Sequence, residues 1–531
     1  SVDYPKLLSI HHLLEIQAER RADAVAIAGF GNSLLSFRRL LLQVEQAAKT
    51  LHTLGIGRND RVAMVSPNGP EMALAFLALS STATFAPLNP ACRSNEFEFY
   101  LTDLGAKALI VPPSADSPAV AVAQKHSIAV IELSPAAEND TGIFSSQSEK
   151  LPAPSQVGFA RADDVALILH TSGTTARPKM VPLTHANLLA SAGNIAAALQ
   201  LTEKDRCLNV MPLFHIHGLV GAVLSSIMAG SEVVCTSGFD AEQFSLWLEE
   251  FRPTWYTAVP TMHQAILKQA KADRRSMTDC SLPLIRSSSA PLPPAVTAEL
   301  EDLFKVPVIE AYGMTEGSHQ IASNPLPPRQ RKAGSVGVAT GSEIAIVDEQ
   351  GKFLAAGRQG EIVIRGANIT LGYANHPEAN SEAFAGGWFR TGDQGYLDED
   401  GYLFITGRLK EIINRGGEKI SPREVDEVLI DHPEIAQVVT FAVPHPTLGE
   451  DVACAIVLHE SAAVTEREIR EFAAMRLSDF KVPRRIFIVD EIPKGPTGKL
   501  RRVGLAEQLM DPPGPQQPLP KEEDPAYRTP L

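Results

Sequence analysis

Short apolar segments alternate with helix-like segments through the first half of this chain, and this alternation limits the folds open to it. Residues 61–65 predict a short buried strand, and after Asn68-Gly69-Pro70 the Ala- and Leu-rich residues 71–81 predict a helix. The same alternation returns around residues 165–169, 233–236, 254–258 and 306–309. Strand, turn and helix in repetition predict a parallel sheet covered by helices.

The pattern changes from about Gly341 onward. Shorter β-like segments separated by glycine turns, at residues 343–347, 360–365 and 401–406, predict an antiparallel or β-barrel-like subdomain. Beyond Arg408, a helix introduced by Ser421-Pro422 is followed by two strands and a further helix, which predicts a compact α+β domain. We therefore predict a large domain over residues 1–407, a small C-terminal domain over 408–510 and a Pro-rich tail or linker over 511–531.

Composition excludes several classes of protein. The 531 residues contain 48 Lys and Arg against 62 Asp and Glu, a net charge of −14 without basic runs, so binding to a nucleic-acid backbone is not expected. No run approaches the length of apolar sequence that spans a membrane. The five cysteines stand singly, which argues against a disulfide scaffold or a structural zinc site and favours a reducing compartment. We predict a cytoplasmic location.

A hydroxyl-rich loop follows the apolar residues 166–169 and gives the strongest local indication of function. It runs from Thr171 to Lys179 with the sequence TSGTTARPK. Small hydroxyl residues around Gly173 let backbone N–H and side-chain O–H groups converge on phosphate oxygens, and Lys179 adds positive charge. The spacing does not fit GxxxxGK[ST], so this is not a P-loop. The sequence predicts a phosphate-binding loop of another kind.

This loop resembles the phosphate-binding signature of the adenylate-forming superfamily, which comprises acyl-CoA synthetases, firefly luciferase and the adenylation domains of peptide synthetases. Further motifs similar to those of the superfamily follow in the same order: Tyr312-Gly313-Met314-Thr315-Glu316, Arg390-Thr391-Gly392-Asp393, Gly407-Arg408-Leu409-Lys410-Glu411 and Pro496-Thr497-Gly498-Lys499. The resemblance extends over roughly residues 10–510. It implies that a carboxylate attacks the α-phosphate of ATP to give acyl-AMP and pyrophosphate, and that a thiol then displaces AMP.

The resemblance also implies which residues bind ATP. Glu316 is implied to bind Mg²⁺, a role that suits a carboxylate, with Thr171 as a second candidate metal ligand. Asp393 and Arg408 are implied to contact the ribose. The candidate residues for binding ATP or AMP are Thr171, Ser172, Gly173, Thr174, Thr175, Lys179, Ser289, Ala290, Pro291, Glu310, Ala311, Tyr312, Gly313, Met314, Thr315, Asp393, Arg408 and Lys499.

Lys499 is implied to bridge the substrate carboxylate and the α-phosphate in the first half-reaction. A cation there stabilises charge that develops in the transition state, so its loss is expected to impair adenylation specifically. The candidate catalytic residues are Lys499, Glu316, Thr315 and His215.

The small domain of the superfamily rotates between the two half-reactions. Lys410 matches the hinge position, and the loop that contains Gly416, Gly417 and Glu418 is implied to line the tunnel for the thiol. Glycines suit close backbone approach to a thin pantetheine arm.

The segment Pro212–Leu219 bears on the identity of the acid. His215 stands where synthetase domains for α-amino acids place an Asp that pairs with the substrate ammonium, so an α-amino acid is disfavoured. The candidate acid-binding residues are His215, His217, Ser288 and His319. The three imidazoles could hydrogen-bond or partly neutralise an extra carboxylate.

Three segments, residues 314–327, 414–422 and 480–484, closely resemble the oxalate–CoA ligase branch of the superfamily. Two features depart from it: Gly317, where we expect Ala, and the cluster Arg286–Ser289. The resemblance favours oxalate or another small dicarboxylate as the acid, with ATP, Mg²⁺ and CoA.

Two alternatives remain open from the sequence. The tail is similar to linkers that precede a carrier protein, so the chain could be an adenylation domain excised from a larger synthetase, which loads a non-amino acid onto a carrier phosphopantetheine. A non-catalytic adenylate-binding relative or a luciferase-like oxygenase is the other class. Intact Lys499, Glu316 and Asp393 argue against a dead enzyme, and nothing in the sequence indicates oxygen chemistry.

Overall fold

The structure is a computed structural model, and it describes residues 7–31, 34–133, 144–146, 151–171, 178–272, 282–415, 418–495, 499–502 and 504–510. The chain separates into two compact units. The larger consists of residues 1–410 together with 494–499, and the smaller contains residues 411–493 and the described residues from 500 onward. The predicted domain boundary between residues 407 and 408 stays a prediction; the two units divide between residues 410 and 411, with residues 494–499 in the larger one.

Two sheets with mainly parallel pairing form the centre of the larger unit, as the alternation of strands and helices predicted. One has seven strands in the order Phe144–Ser146, Ala129–Leu133, Ala108–Val111, Arg61–Met64, Thr84–Pro87, Val165–His170 and Met180–Thr184. The other has nine, in the order Val338–Ala339, His319–Ser323, Val308–Met314, Leu284–Ser287, Trp255–Ala258, Arg206–Asn209, Glu232–Cys235, Val25–Ala28 and Leu34–Ser36. Antiparallel strands occur only toward the edges among the described pairs.

Helices cover and separate these sheets. They span Ile10–Arg21, Phe37–Leu54, Pro70–Thr82, Ser94–Leu104, Pro118–Lys125, His185–Ala198, Ser225–Ala229, Ala241–Phe251, Pro260–Ala272, Pro294–Phe304 and Pro377–Ala383, with a π-helix at His217–Leu224. Helix Pro70–Thr82 begins with a proline in its first turn, and its residues from Met72 onward are buried. A helix that is apolar on every side belongs inside a core. It shares one hydrophobic cluster with Val62 of the first sheet and Val233 of the second.

A five-stranded antiparallel sheet completes the larger unit, where the sequence predicted an antiparallel subdomain. Its strands are Glu343–Val347, Gly360–Arg365, Phe384–Ala385, Trp388–Leu397 and Leu403–Arg408. Among the described strands, Glu343–Val347 pairs only with Gly360–Arg365, so the strand order is open; an isolated bridge joins Val347 to Phe353.

The smaller unit has its own sheet and core. Strands Ile413–Arg415, Glu418–Ile420, Ile435–His445, Gly449–Leu458 and Arg485–Ile488 pair beside helices Pro422–Ile430, Glu466–Ala474 and Leu505–Met510. Its buried residues form separate hydrophobic clusters from those of the larger unit. Among the described residues of both units, no helix combines the length and the apolar character needed to cross a membrane.

Candidate active site

The two ends of the phosphate loop meet in the structure. Strand Val165–His170 pairs antiparallel with Met180–Thr184, which brings Thr171 beside Lys179. The Thr171 backbone N–H donates to the Lys179 carbonyl at 2.9 Å, and the Lys179 N–H donates to Thr171 Oγ1 at 3.1 Å. The predicted residues Ser172, Gly173, Thr174 and Thr175 lie outside the described residues. The structure therefore brings the backbone of Lys179 beside Thr171, the first hydroxyl residue of the loop.

Asp393 joins three parts of the larger unit. Tyr312 donates its hydroxyl to Asp393 Oδ2 at 2.5 Å, and Arg408 Nε donates to Asp393 Oδ1 at 3.0 Å. The carboxylate is buried, whereas the Arg408 side chain is half-exposed. Burial, followed by the neighbouring Asp393 charge, raises the pKa of Tyr312. Each carboxylate oxygen keeps a further lone pair, so Asp393 can still accept from two hydroxyls of a ligand.

The turn at residues 288–291 lies against strand Val308–Met314. Ser288 is buried and donates its hydroxyl to the Ala311 carbonyl at 3.1 Å, and the Leu292 N–H donates to Glu310 Oε1 at 3.1 Å. Ser289 has a left-handed backbone, with φ of 75°. The structure thus brings Ser288, Ser289, Ala290 and Pro291 together with the candidate nucleotide-binding residues of the next strand, from Glu310 to Met314.

Glu316 sits in a short 3-10 turn, Thr315–Gly317, directly after that strand. Its carboxylate is buried and accepts a hydrogen bond from the Tyr373 hydroxyl at 2.8 Å. Burial is the largest influence on the carboxyl group and raises the pKa of Glu316. On the opposite side of the phenol, the Lys179 ammonium lies 5.0 Å from the centre of the Tyr373 ring.

A fully buried arginine lies at the centre of the predicted acid pocket. Arg286 is 0% exposed and stands on the strand Leu284–Ser287. Its two terminal nitrogens donate to Thr257 Oγ1 at 3.1 Å, Gln320 Oε1 at 3.0 Å and His319 Nε2 at 3.0 Å. Its Nε has no hydrogen-bond partner. Across the described part of the chain, no carboxylate forms an ion pair with this guanidinium.

Two stacked imidazoles lie beside the arginine. The rings of His217 and His319 are 4.7 Å apart, and both side chains are buried. They pack against Gly221, where a Cβ would stand 2.9 Å from His319 and 3.2 Å from His217. The π-helix His217–Leu224 carries both His217 and Gly221, and His319 has φ of 91° at the start of its strand.

The hydrogen bonds around His217 favour one tautomer. Its Nε2 lies 2.6 Å from Thr257 Oγ1 and 3.4 Å from the Arg286 guanidinium, so a proton on this nitrogen would face a cation. Its Nδ1 lies 3.0 Å from Ser289 Oγ. We therefore assign the proton to Nδ1, which donates to Ser289, while Nε2 accepts from Thr257. His319 Nε2 accepts from Arg286 in the same way.

All three predicted histidines are neutral in this environment. Burial, helped by the nearby Lys499 ammonium, lowers the pKa of His215 to about 3. Burial also lowers the pKa of His217 and of His319 well below the usual value, with neighbouring positive groups adding to it. The expectation that these imidazoles hydrogen-bond or partly neutralise an extra carboxylate stays a prediction, and Arg286 adds a positive charge beside them. Burial lowers the pKa of Arg286 to about 10, which leaves it charged at neutral pH.

The remaining predicted residues are distributed between the two units. Lys499 belongs to the larger unit. Lys410 lies in the 3-10 turn Leu409–Glu411, at the last position of the larger unit before the division. Glu418 begins a strand of the smaller unit, and Gly416 and Gly417 lie outside the described residues.

Sequence reasoning missed two residues of this site. Arg286 was noted only as a departure from the oxalate–CoA ligase branch, although a charge inside the otherwise uncharged strand Leu284–Ser287 was a usable signal. Tyr373 was not singled out, and no local pattern marks it, because its partner Glu316 is 57 residues away in sequence.

Comparison with known proteins agrees with the motifs. The family model of the AMP-binding enzymes matches residues 14–374, and the model of their C-terminal domain matches residues 424–499. An oxalate–CoA ligase from Arabidopsis thaliana is 44% identical over 94% of this chain and 98% of its own length. An oxalate–CoA ligase from Saccharomyces cerevisiae is 42% identical over 85% of this chain and 87% of its own length.

A solved structure agrees as well. ATP-bound MatB from Rhodopseudomonas palustris superposes with a TM-score of 0.85 at 28% identity, covering 95% of this chain and 99% of that one. Family, relatives and fold coincide over nearly the whole chain. The chain therefore belongs to the AMP-binding enzyme family, and it is an AMP-forming acid–thiol ligase of the adenylate-forming superfamily.

Proposed function

We propose that this enzyme activates oxalate, or another dicarboxylate of similar size, with ATP and transfers the acyl group to CoA. The observation that carries the proposal is Arg286, a fully buried guanidinium without a carboxylate partner among the described residues. A buried charge without a counter-ion is costly, by several kcal/mol in real proteins. A ligand that brings a second carboxylate would compensate it, and the names of the two relatives at 42–44% identity support oxalate.

The proposed reaction has two displacements. One oxygen of the acid attacks the α-phosphorus of ATP, and the bond from that phosphorus to the bridging oxygen breaks, so that pyrophosphate leaves with the electron pair. The thiolate of CoA then attacks the acyl carbon, and AMP leaves. The first displacement brings two anions together, so positioning and charge neutralisation are the main tasks. We assign this neutralisation to Lys499, with Lys179 at the phosphates.

The site suits one Mg²⁺ held mainly by its substrate. Glu316 is a buried carboxylate for which no ion pair is present among the described residues, and its oxygens are ligands that Mg²⁺ prefers. The described residues contain no group of three or more His, Cys, Asp or Glu side chains that could hold a metal by itself. Mg²⁺ would supply charge neutralisation at the ATP phosphates, with Glu316 as protein ligand and Thr171 as a second candidate.

The acid pocket would distinguish acids by charge and by hydrogen bonding. Arg286 would take the second carboxylate of the acid, and the neutral rings of His215 and His319 would orient its oxygens. Neutral imidazoles can donate or accept, so they add direction without adding charge. Asp393 and Arg408 are assigned to the ribose, and the turn at residues 288–291 to adenine.

CoA is the acceptor that the comparisons favour, because the relatives at 42–44% identity are named CoA ligases. The carrier-protein alternative rests on residues 511–531, which lie outside the described residues. No described contact favours a carrier. Three further points stay predictions: the hinge role of Lys410, the cytoplasmic location, and the tunnel roles of Gly416, Gly417 and Glu418.

The test compares oxalate with oxamate, in which a neutral amide replaces one carboxylate at nearly the same size. Pyrophosphate release and CoA consumption are measured for both acids, and for malonate and acetate. We expect oxalate to be preferred, and Arg286→Met to lower kcat/KM for oxalate by about 100-fold while changing that for oxamate much less, since leaving one charge of such a pair unpaired costs about 2–5 kcal/mol.

Arg365→Met is the matched control, because it removes an exposed guanidinium paired with Glu343. It is expected to leave the preference unchanged. If Arg286→Met keeps the wild-type ratio of oxalate to oxamate, dicarboxylate recognition by Arg286 is wrong. Adenylation of oxalate without consumption of CoA would instead favour a carrier.

A further inference from the structure

Tyr373 contacts two charged groups of opposite sign at the phosphate end of the ATP site. Its hydroxyl donates to Glu316 Oε1 at 2.8 Å, and its ring face lies under the Lys179 ammonium, 5.0 Å from the ring centre. Within the described residues, Lys179 and Glu316 form no ion pair with each other. The phenol therefore stands between a cation and an anion that both have proposed roles toward Mg²⁺ and ATP.

The backbone around Tyr373 is fixed on both sides. The Asn380 side chain forms two hydrogen bonds with the Tyr373 backbone, accepting from its N–H at 2.7 Å and donating to its carbonyl at 2.9 Å. Gly372, with φ of 143°, lets Asn380 approach, because a Cβ there would stand 3.0 Å from its side-chain oxygen. These contacts fix the backbone of Tyr373 and, with it, the position from which its side chain extends.

The same segment is bonded to both elements that carry the charges. The Thr370 N–H donates to the Glu316 carbonyl at 2.8 Å, and the Thr370 hydroxyl donates to the Pro182 carbonyl at 2.7 Å. The Ala374 N–H donates to the Met180 carbonyl at 3.1 Å. Residues 370–374 thus connect the turn of Glu316 to the strand that follows Lys179.

We propose that Tyr373 is a positioning residue that orients the Glu316 carboxylate toward Mg²⁺ and keeps the Lys179 ammonium available to the ATP phosphates. The inference rests on the proposed roles of Glu316 and Lys179. A hydrogen bond from the phenol restricts rotation of the carboxylate before the ligand arrives. The aromatic face attracts the ammonium without neutralising it, as a carboxylate would.

Two substitutions of Tyr373 test its contacts with Glu316 and Lys179 separately. Tyr373→Phe keeps the ring under Lys179 and removes the hydrogen bond to Glu316, whereas Tyr373→Leu removes both contacts. Binding of ATP is measured by calorimetry without acid or CoA, first in EDTA and then across a Mg²⁺ titration, so that the readout does not depend on turnover. Thermal unfolding checks that each variant folds.

We expect Tyr373→Phe to weaken the apparent Mg²⁺ affinity of the ATP complex about tenfold, the size of one hydrogen bond to a charged group, and to leave ATP binding in EDTA within about twofold. Tyr373→Leu is expected to weaken ATP binding in EDTA as well, by a further fivefold or so for the lost cation–π contact. If Tyr373→Leu fails to fold, the Tyr373→Phe titration decides by itself.

Tyr402→Phe is the matched control. Tyr402 also donates its hydroxyl, to the Gln330 carbonyl at 2.5 Å, and also carries a lysine over its ring, with Lys332 Nζ 4.3 Å from the ring centre. Removal of this hydroxyl is expected to leave the Mg²⁺ titration unchanged. An equal shift in both variants would overturn the proposal.

Glu316→Gln distinguishes two outcomes: that Tyr373 does not position Glu316, or that Glu316 does not bind Mg²⁺. A wild-type Mg²⁺ titration in Glu316→Gln would contradict the metal role of Glu316 and, with it, the inference. A weakened titration in Glu316→Gln together with a wild-type one in Tyr373→Phe would contradict only the positioning role of Tyr373.

Discussion

The charged side chains at the nucleotide end and at the acid end of this site differ in the partners that they contact. At the nucleotide end the Asp393 carboxylate is paired with the Arg408 guanidinium and also accepts from Tyr312, and Glu316 accepts from the neutral Tyr373 hydroxyl. At the acid end, Arg286 is buried among neutral donors and acceptors, and the imidazoles beside it are neutral. The groups of the nucleotide end are therefore oriented before a ligand binds, whereas Arg286 at the acid end has no negatively charged partner among the described residues.

The largest effect is expected from substitution of Lys499. Its positive charge contributes to the lowered pKa of His215 at the acid end, and Lys499 is proposed to act on the α-phosphate. Lys499→Ala should reduce adenylate formation by about 100- to 1,000-fold, the range for losing one preorganised group that stabilises transition-state charge. Thioester formation from supplied acyl-adenylate should remain near wild type. Single-turnover assays of each half-reaction measure this, and an equal loss in both would contradict the assigned role.

A smaller effect at the acid end alone is expected from Gly221→Ala. The added Cβ would stand 2.9 Å from the His319 ring, so the imidazole stack must move and the contact between His319 and Arg286 is disturbed. Overpacking of this kind costs about 1–3 kcal/mol, which predicts a loss of about tenfold or more in kcat/KM for oxalate with little change in KM for ATP.

Gly193→Ala provides the control for that substitution. Gly193 lies within helix His185–Ala198, and nothing stands within 4 Å of an added Cβ. Alanine is the better helix former, so stability should rise slightly and kinetics should not change. If both substitutions lower activity on oxalate equally, the imidazole stack is not the cause.

At the nucleotide end, Arg408→Ala should raise KM for ATP several-fold and leave the ratio of oxalate to oxamate unchanged. Arg408 pairs with the buried Asp393 carboxylate, which is assigned to the ribose, so its loss is expected to weaken the contacts to the nucleotide. Steady-state kinetics with varied ATP check this. A changed acid preference would mean that the two ends are not separate.

The smallest effect concerns pH and stability. Burial lowers the pKa of His263 to about 3 and that of His185 to about 4, below the value near 6.5 of an unfolded chain. Between these values the unfolded chain binds protons that the folded protein does not, so stability falls as pH decreases from about 6.5, by up to about 1.4 kcal/mol per pH unit for each histidine.

His263→Gln removes a titrating group and should therefore reduce this slope by roughly one proton. Glutamine can still accept from the Tyr256 hydroxyl, which His263 faces at 3.1 Å, so the local packing should be kept. Thermal unfolding between pH 7.5 and 5 measures the slope. A slope that does not change would show that His263 already carries its proton in the folded protein.

Short-range patterns in the sequence were sufficient for the fold, whereas the roles proposed at the nucleotide end stay predictions. Strand and helix alternation predicted the parallel sheets, and the motif around Tyr312 and Glu316 could be recognised because its members are adjacent. The contacts of Arg286 at the acid end could not be found in this way. Arg286 reaches Thr257, His319 and Gln320 across 29, 33 and 34 residues of sequence, and only the pairing of strands brings them together.

The histidines illustrate a second limit. Their presence in the pocket was predicted from a resemblance, but their charge depends on burial and on Arg286, neither of which a sequence shows. An isolated imidazole titrates near neutral pH, so the sequence left open whether these rings hydrogen-bond to a carboxylate or partly neutralise it. The roles of the individual residues stay predictions until the variants above are measured.

The assigned hydrogen bonds run in one direction, from Arg286 through Thr257 and His217 to Ser289. Since Ser289 accepts at the end of this series, its own hydrogen is not used in the series and can be donated elsewhere at the turn assigned to adenine. A second proton on His217 would go to Nε2 and reverse only the bond to Thr257, because Nδ1 would still donate to Ser289. The hydrogen bond at the turn assigned to adenine therefore does not depend on the charge of His217, although the two belong to one series of contacts.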